Sequence, residues 1–280
     1  MRVDITKGAR VAEAPALRQA TALRVAPETR AAGRVAEDDS VDAALPLTFR
    51  AAGHGFYFAS HAKPRLVGAM NVYVLPAGPI ETNAYLLTAP ERGEAVLIDA
   101  PGDVWAEVAE RLAADAVRLT ELWITHGHWD HTQGAAEVVR QSGAMVRAHS
   151  ADRPLIETPE VMSAFLGGHI RLEAVKVDRW LNDDERFQAL GLEVEVRHVP
   201  GHCPGNILFH LPAAKAAFVG DAIFAGSVGR TDLPGGSMEV LEQSIRKRIY
   251  TLPPETELHP GHGPSTTVAR ERATNPFVRA

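Results

Sequence analysis

Residues 125–131 read THGHWDH and place His126, His128, Asp130 and His131 directly after the apolar run LTELWI. Imidazoles and a carboxylate are costly to desolvate together unless positive charge sits among them. A bound metal ion supplies that charge. In an extended segment the two-residue spacing of His126 and His128 points both rings the same way. Asp130 and His131 fall where the chain must turn toward a following helix. Three later segments each offer one more ligand-type side chain beside turn residues: VPGHCPGN presents His202, FVGDAIF presents Asp221 and HPGHGP presents His262. Glycine adjoins all three, and glycine lets the backbone come close to an ion. Five histidines and two aspartates exceed what one tetrahedral zinc takes and suit two metals that share a carboxylate.

Every one of these residues should sit at a strand end. From Met70 the segments NVYVLP, NAYLLT and AVLIDA read as consecutive short strands separated by Pro and Gly signals. DVWAEVAERLAA carries Val104, Val108 and Leu112 at helical spacing. The strand LTELWI, the histidine loop and a helix over about Gly134 to Arg140 follow, then a strand at AMVRAH. Residues 151–185 are less regular and read as an insertion near the site. LEVEVRHV, NILFHL and AAFVGD are strands again, SMEVLEQSIRKRIYTL is an amphipathic helix, and a short strand to His259 precedes a last helix around Thr266 to Ala273. Strands with interspersed helices predict an α/β architecture of sheets covered by helices.

Residues 1–69 differ from the rest. They are rich in Ala, Arg and Val, hold ten Lys or Arg against seven acids, and Pro15, Pro27 and Gly33 interrupt any long helix. They read as a partly disordered extension, with FYFA at 56–59 docking on the main domain, which spans residues 70–280. The whole chain has 280 residues, 45% hydrophobic and 23% charged, with a net charge of -6. An acidic chain argues against nucleic acid as partner. No run approaches the roughly 20 apolar residues of a membrane helix, and no secretory or organellar leader pattern opens the chain. Cys203 is the single cysteine, so no intrachain disulfide forms, which fits a reducing cytoplasm.

THGHWDH followed in order by GHCPGN, GD and PGHGP resembles the metallo-β-lactamase superfamily. GDAIFAGSVGRTDLPGG with LHPGHGPSTTVARERATNPF is similar to the short, single-domain relatives of glyoxalase II, the hydroxyacylglutathione hydrolases; the likeness covers about residues 70–280. The resemblance implies a four-layer αββα sandwich with the site along one edge. It implies one metal on His126, His128 and His202, a second on Asp130, His131 and His262, and Asp221 bridging. The cofactors would be two divalent metals, zinc foremost, with iron or manganese as alternatives. A hydroxide bridging them would attack the carbonyl of a small thioester of the S-D-lactoylglutathione type, with Asp130 and Asp221 as the catalytic carboxylates.

Two alternatives stay open on the motif. Iron-dependent persulfide dioxygenases share it and use one iron, here on His126, His202 and Asp221; a lactonase or other ester hydrolase needs the same attacking group. A β-lactamase fits less well, because several of those have cysteine where this chain has Asp221. Full-length glyoxalase II helps hold glutathione with a C-terminal helical domain; 18 residues follow His262 in this sequence, so that domain's glutathione-binding side chains are expected to have no counterpart in it, and Cys203 stands where the family often has Thr or Ser. Arg230, in GRTD, is expected either to anchor the structure against a buried acid or to meet a substrate carboxylate. Asp232 is expected in a turn, Trp129 beneath the loop, and Cys203 in packing. His54, His61, His149, His169, His198, His210 and His259 are expected at the surface or satisfied in the core, with His169 near the substrate mouth.

Overall fold

In the computed structural model, residues 65–67, 70–165, 170 and 172–280 are described. Seven strands form the first sheet in chain order: β1 (Arg65–Val67), β2 (Met70–Ala77), β3 (Thr82–Ala89), β4 (Glu94–Ile98), β5 (Arg118–Trp123), β6 (Met145–His149) and β7 (Arg179–Leu181). The pairs from β1 to β4 are antiparallel and those from β4 to β7 parallel. Parallel neighbours need crossovers, and α1 (Trp105–Ala114), α2 (Trp129–Thr132) and α3 (Ala135–Ser142) lie in them. α4 (Arg153–Glu157) and α5 (Glu160–Phe165) follow β6.

The second sheet uses β8 (Arg186–Ala189), β9 (Leu192–His198), β10 (Ile207–Leu211) and β11 (Ala216–Gly220), with a small hairpin of β12 (Ile223–Phe224) and β13 (Ser227–Val228) beside it, then β14 (Glu257–Pro260) and β15 (Thr266–Thr267). Its strand order is β15-β14-β11-β10-β9-β8. Two helices, α6 (Met238–Ser244) and α7 (Val268–Thr274), belong to this half. Ser237 starts α6 by accepting from the Val240 amide, and Thr267 starts α7 by accepting from Arg270.

Side-chain alternation builds three apolar interfaces, hence four layers. Along β3, Ala84 and Leu86 join Val104, Val108 and Leu112 of the first helical layer, while Tyr85 and Leu87 join Phe209 and Phe218 between the sheets. Along β11, Ala216 and Phe218 face the same inter-sheet core, and Ala217 and Val219 meet Leu241, Ile245 and Val268 on the other side. Strands buried on both faces must read as continuous apolar runs, which is why AVLI and AAFV show no alternation in sequence.

The four-layer sandwich matches the expected fold class. Three local readings change. Part of the supposedly irregular stretch 151–185 is β7, which the parallel edge of the first sheet recruits. Arg65–Val67 adds a strand pairing with Met70–Val72, so the sheet begins before residue 70. Thr266–Thr267 pairs with Glu257–Leu258 as a strand before the last helix begins. The remaining expectations for the extension, including the docking of FYFA and the fates of His54 and His61, lie outside the described residues, as does His169 of the 151–185 stretch.

Candidate metal centre

Six chain segments meet at one edge of the sandwich and are tied by backbone bonds. The Asp99 amide donates to Trp123 O at 2.8 Å, the Ala100 amide to His131 O at 2.8 Å, the Asn83 amide to Gly261 O at 2.7 Å, the Gly261 amide to Gly220 O at 2.9 Å, and the Ile207 amide to Thr125 O at 2.9 Å. Strand ends are where backbone groups leave the ladder, so side chains there can converge without disturbing it. At Gly261 the approach is tight: a Cβ would collide with the Asp221 carboxylate and the His131 ring. Asn83 and Tyr85, from β3, both donate to Pro260 O, at 3.0 and 2.6 Å, and fix the start of the His262 loop.

All seven expected side chains meet there. Their potential ligand atoms form three groups, each within 4.8 Å: His126, His128 and His202; His126, His131 and Asp221; Asp130, His131 and His262. His202 Nε2 lies 3.2 Å from His126 Nε2. Asp221 reaches three rings, with Oδ1 at 3.3 Å from His131 Nε2 and Oδ2 at 3.7 Å from His202 Nε2 and 3.5 Å from His262 Nε2. Asp130 Oδ2 sits 3.2 Å from His262 Nε2 and 3.3 Å from His131 Nε2, and it accepts from Thr82 Oγ1 at 2.9 Å.

Second partners set the ring tautomers. His131 Nδ1 donates to Asp99 Oδ2 at 2.8 Å, and His202 Nδ1 donates to the Arg230 carbonyl at 2.7 Å. Thr125 Oγ1 spends its proton on Asp99 Oδ2 at 2.8 Å and so accepts from His126 Nδ1 at 3.1 Å. With Nδ1 protonated, Nε2 of each neutral ring carries a lone pair aimed inward.

The electrostatics divide the cluster. Burial, reinforced by neighbouring histidines, holds His126 well below the ordinary imidazole range and pushes His128 down to about 3. Those rings are neutral. Burial also opposes charge on His131, but Asp130, Asp221 and Asp99 around it outweigh that and drive it well upward. Burial would raise Asp130 and Asp221, yet the histidines beside them keep both carboxylates low. This half therefore calls for positive charge between its carboxylates, while the other half offers bare lone pairs. His131 Nε2 and Asp221 Oδ1 are buried without a hydrogen-bond partner. Closely opposed lone pairs, two buried polar atoms without a hydrogen-bond partner and a carboxylate pair together fit divalent cations.

A cleft of about 310 Å³ opens onto the cluster, lined also by Ile80, Trp129, Phe224, Arg230 and Leu233. Trp129 forms part of this wall instead of packing beneath the loop, because the short α2 turns it outward. The expected buried acid partner of Arg230 is replaced by exposed Asp232, which its guanidinium grips at 2.7 Å through both Nε and Nη2. Both lie on the loop after β13, where water lowers the cost of charge; the anchoring role falls to the Arg230 carbonyl. Cys203 is buried and donates to Asp152 at 3.2 Å; it belongs to none of the ligand groups. Outside the site, His149 stacks on His198 at 4.1 Å, His210 pairs with Glu195 at 3.1 Å, and His259 stacks on Phe218 at 4.9 Å.

The sequence reading missed Asp99, Thr82, Thr125 and Asp152. Asp99 had a signal: an aspartate closing an apolar run stands in the same strand-end position as the other site residues. It takes a left-handed backbone, φ 59, which Asp tolerates better than most residues.

The profile of the metallo-β-lactamase superfamily matches residues 77–268. The chain belongs to this superfamily. It is 34% identical over 214 residues to hydroxyacylglutathione hydrolase GloC of Haemophilus influenzae, covering 75% of this chain and 99% of that protein. Among solved structures, it is similar to BLEG-1 B3 metallo-β-lactamase, with TM-score 0.69 and 33% identity over 75% of this chain and 100% of that one. It is also similar to TTHA1623 in a di-iron-bound form, with TM-score 0.65 and 38% identity over 74% of this chain and 100% of that one. The family match and these relatives make it a hydrolase of the superfamily. No helix among the described residues is long and apolar enough to cross a membrane.

Proposed function

We propose that this protein hydrolyses a small thioester of the S-D-lactoylglutathione type in the cytoplasm. The observation that carries the reading is the meeting of all seven strand-end ligands in one cluster, five of which line an open cleft, and the likeness to a named hydroxyacylglutathione hydrolase supports the substrate class. His126, His128 and His202 would hold one divalent cation and Asp130, His131 and His262 a second, with Asp221 between them. Zinc or iron suits these donors. When bound, such a pair supplies Lewis acidity and a hydroxide nucleophile near neutral pH.

The chain's own groups do the rest. Asp130, oriented by Thr82, and Asp221 would hold the attacking water, and Asp130 would take up its proton at a carboxylate oxygen. Oxygen adds to the acyl carbon, the C–S bond breaks, and the leaving thiolate takes that proton. Ile80, Trp129, Phe224 and Leu233 give the carrier an apolar wall that keeps bulk water off. Arg230 exchanges Asp232 for a substrate carboxylate, which its planar fork matches.

The test is metal analysis of freshly purified protein coupled to a substrate panel. Two metals per chain with oxygen-independent thiol release from S-D-lactoylglutathione is the expected result. One iron per chain, with oxygen uptake on glutathione persulfide and no thioester cleavage, would overturn it. A β-lactam belongs in the panel as the second reading, favoured by the 33% identity to BLEG-1; ring opening without thioester cleavage would replace the first reading.

A further inference from the structure

The loop carrying His126 and His128 and the loop carrying His202 are joined at their base by the bond between the Ile207 amide and Thr125 O. Nearer the site they are joined by one side chain that belongs to neither. Asp152 ends the short turn Ser150–Asp152 after β6 and occupies the N-cap position of α4. An aspartate there ordinarily accepts from the first amides of its own helix, but Asp152 makes no such bond. Its carboxylate, in a residue only 1% exposed, accepts from the Gly127 amide at 2.8 Å, the Gly205 amide at 2.7 Å and the Cys203 thiol at 3.2 Å. Gly127 lies between His126 and His128. Cys203 and Gly205 follow His202.

The packing leaves no slack. A Cβ on Gly205 would run into the Asp152 carboxylate, and one on Gly127 would come within 2.7 Å of Leu155 and 3.2 Å of Asp152 Cβ. Three donors and no acceptor point at the carboxylate, the arrangement an ionised acid satisfies and an amide does not. Asp99 holds His131 of the other half directly and meets His126 only by way of Thr125, whereas no bond runs from it to the His202 loop. No hydrogen bond ties Asp152 to Asp130, His131 or His262.

We infer that Asp152 is a positioning residue that sets the spacing between the His126–His128 loop and His202, and with it the binding strength of the three-histidine half alone. This rests on the proposed metal assignment, which says what the three histidines hold. Carboxylates and carbonyls behind metal-ligating histidines orient them, and their loss weakens metal binding about 10–100-fold. Asp152 would act one step further back, through the backbone of both loops at once.

The experiment titrates the metal-free full chain with cobalt(II), following its visible absorption and the binding heats, for the unsubstituted chain, D152N, C203A and His202→Ala. D152N preserves volume but turns an amide toward donors. The expected result is one cobalt constant weakened about 10–100-fold and the other moved by less than about twofold, the lost spectrum being the one that His202→Ala removes. C203A keeps the carboxylate and both amide bonds, so it should shift the same constant by less. Unchanged constants in both variants overturn the inference. If metal-free D152N shows no cooperative thermal unfolding, C203A decides: selective weakening supports the inference and unchanged constants overturn it. Fewer than two cobalt ions on the unsubstituted chain would overturn the proposed function, and this inference with it.

Discussion

Asp99 accepts from the Thr125 amide at 2.7 Å, from Thr125 Oγ1 at 2.8 Å and from His131 Nδ1 at 2.8 Å. It is not among the residues lining the cleft, so its work is done through His131 and, by way of Thr125, through His126. Asp99→Asn should cut bound metal affinity and kcat/KM about 10–100-fold, read by metal analysis and steady-state kinetics. The direct ligands are a harsher case. His128→Ala and Asp221→Ala should each abolish hydrolysis while circular dichroism shows a folded chain; full turnover in either would refute the assignment. Arg230 acts on binding. Its guanidinium lies at the rim, so Arg230→Ala should raise KM roughly tenfold with kcat little changed, the signature of lost uniform binding. An equal fall in kcat and kcat/KM would assign it to the transition state instead.

At the scale of elements, the site depends on two sheets packed face to face. Phe209 sits at the centre of that interface, fully buried, with its ring 5.0 Å from Trp123. Phe209→Ala leaves a cavity between the sheets and should cost about 3–5 kcal/mol, measured as a lower denaturant midpoint at unchanged m-value. Because Phe209 is not among the residues lining the cleft, turnover well below the melting point should survive. The strands that build this interface were plain in the sequence where apolar runs were long, as in AVLI and AAFV. Arg179–Leu181 was not, since a three-residue edge strand has no period to detect and forms only because Ala148 offers it a free edge.

Across the whole molecule, the two sheets also meet at a titratable contact. His149 at the end of β6 stacks on His198 at the end of β9, with ring centroids 4.1 Å apart. Burial first, then the neighbouring His198, lowers His149 from the ordinary 6.5 to about 4, against the opposing pull of Asp183. Between those values the unfolded chain binds a proton that the folded chain refuses. The contribution to stability is thus intact above pH 6.5 and is lost as pH falls toward about 4. Thermal melts of metal-free protein across this window should show the decline, to which His126 and His128 add in the same sense, and His149→Gln should make it shallower. An equal decline in the variant would move the cause elsewhere.

The identity and order of the seven ligand-type residues were set by the sequence, because metal chemistry demands particular side chains and strand ends with glycine announce where they emerge. Sheets covered by helices were legible from strands with interspersed helices, and the four-layer sandwich was what the family resemblance implied. Only the tertiary structure decided what stands behind the ligands. Asp152 is a single acid in an unremarkable stretch, and Arg230 serves His202 through a carbonyl that every residue possesses. Such partners are chosen by distance across the folded chain, which no local spacing encodes.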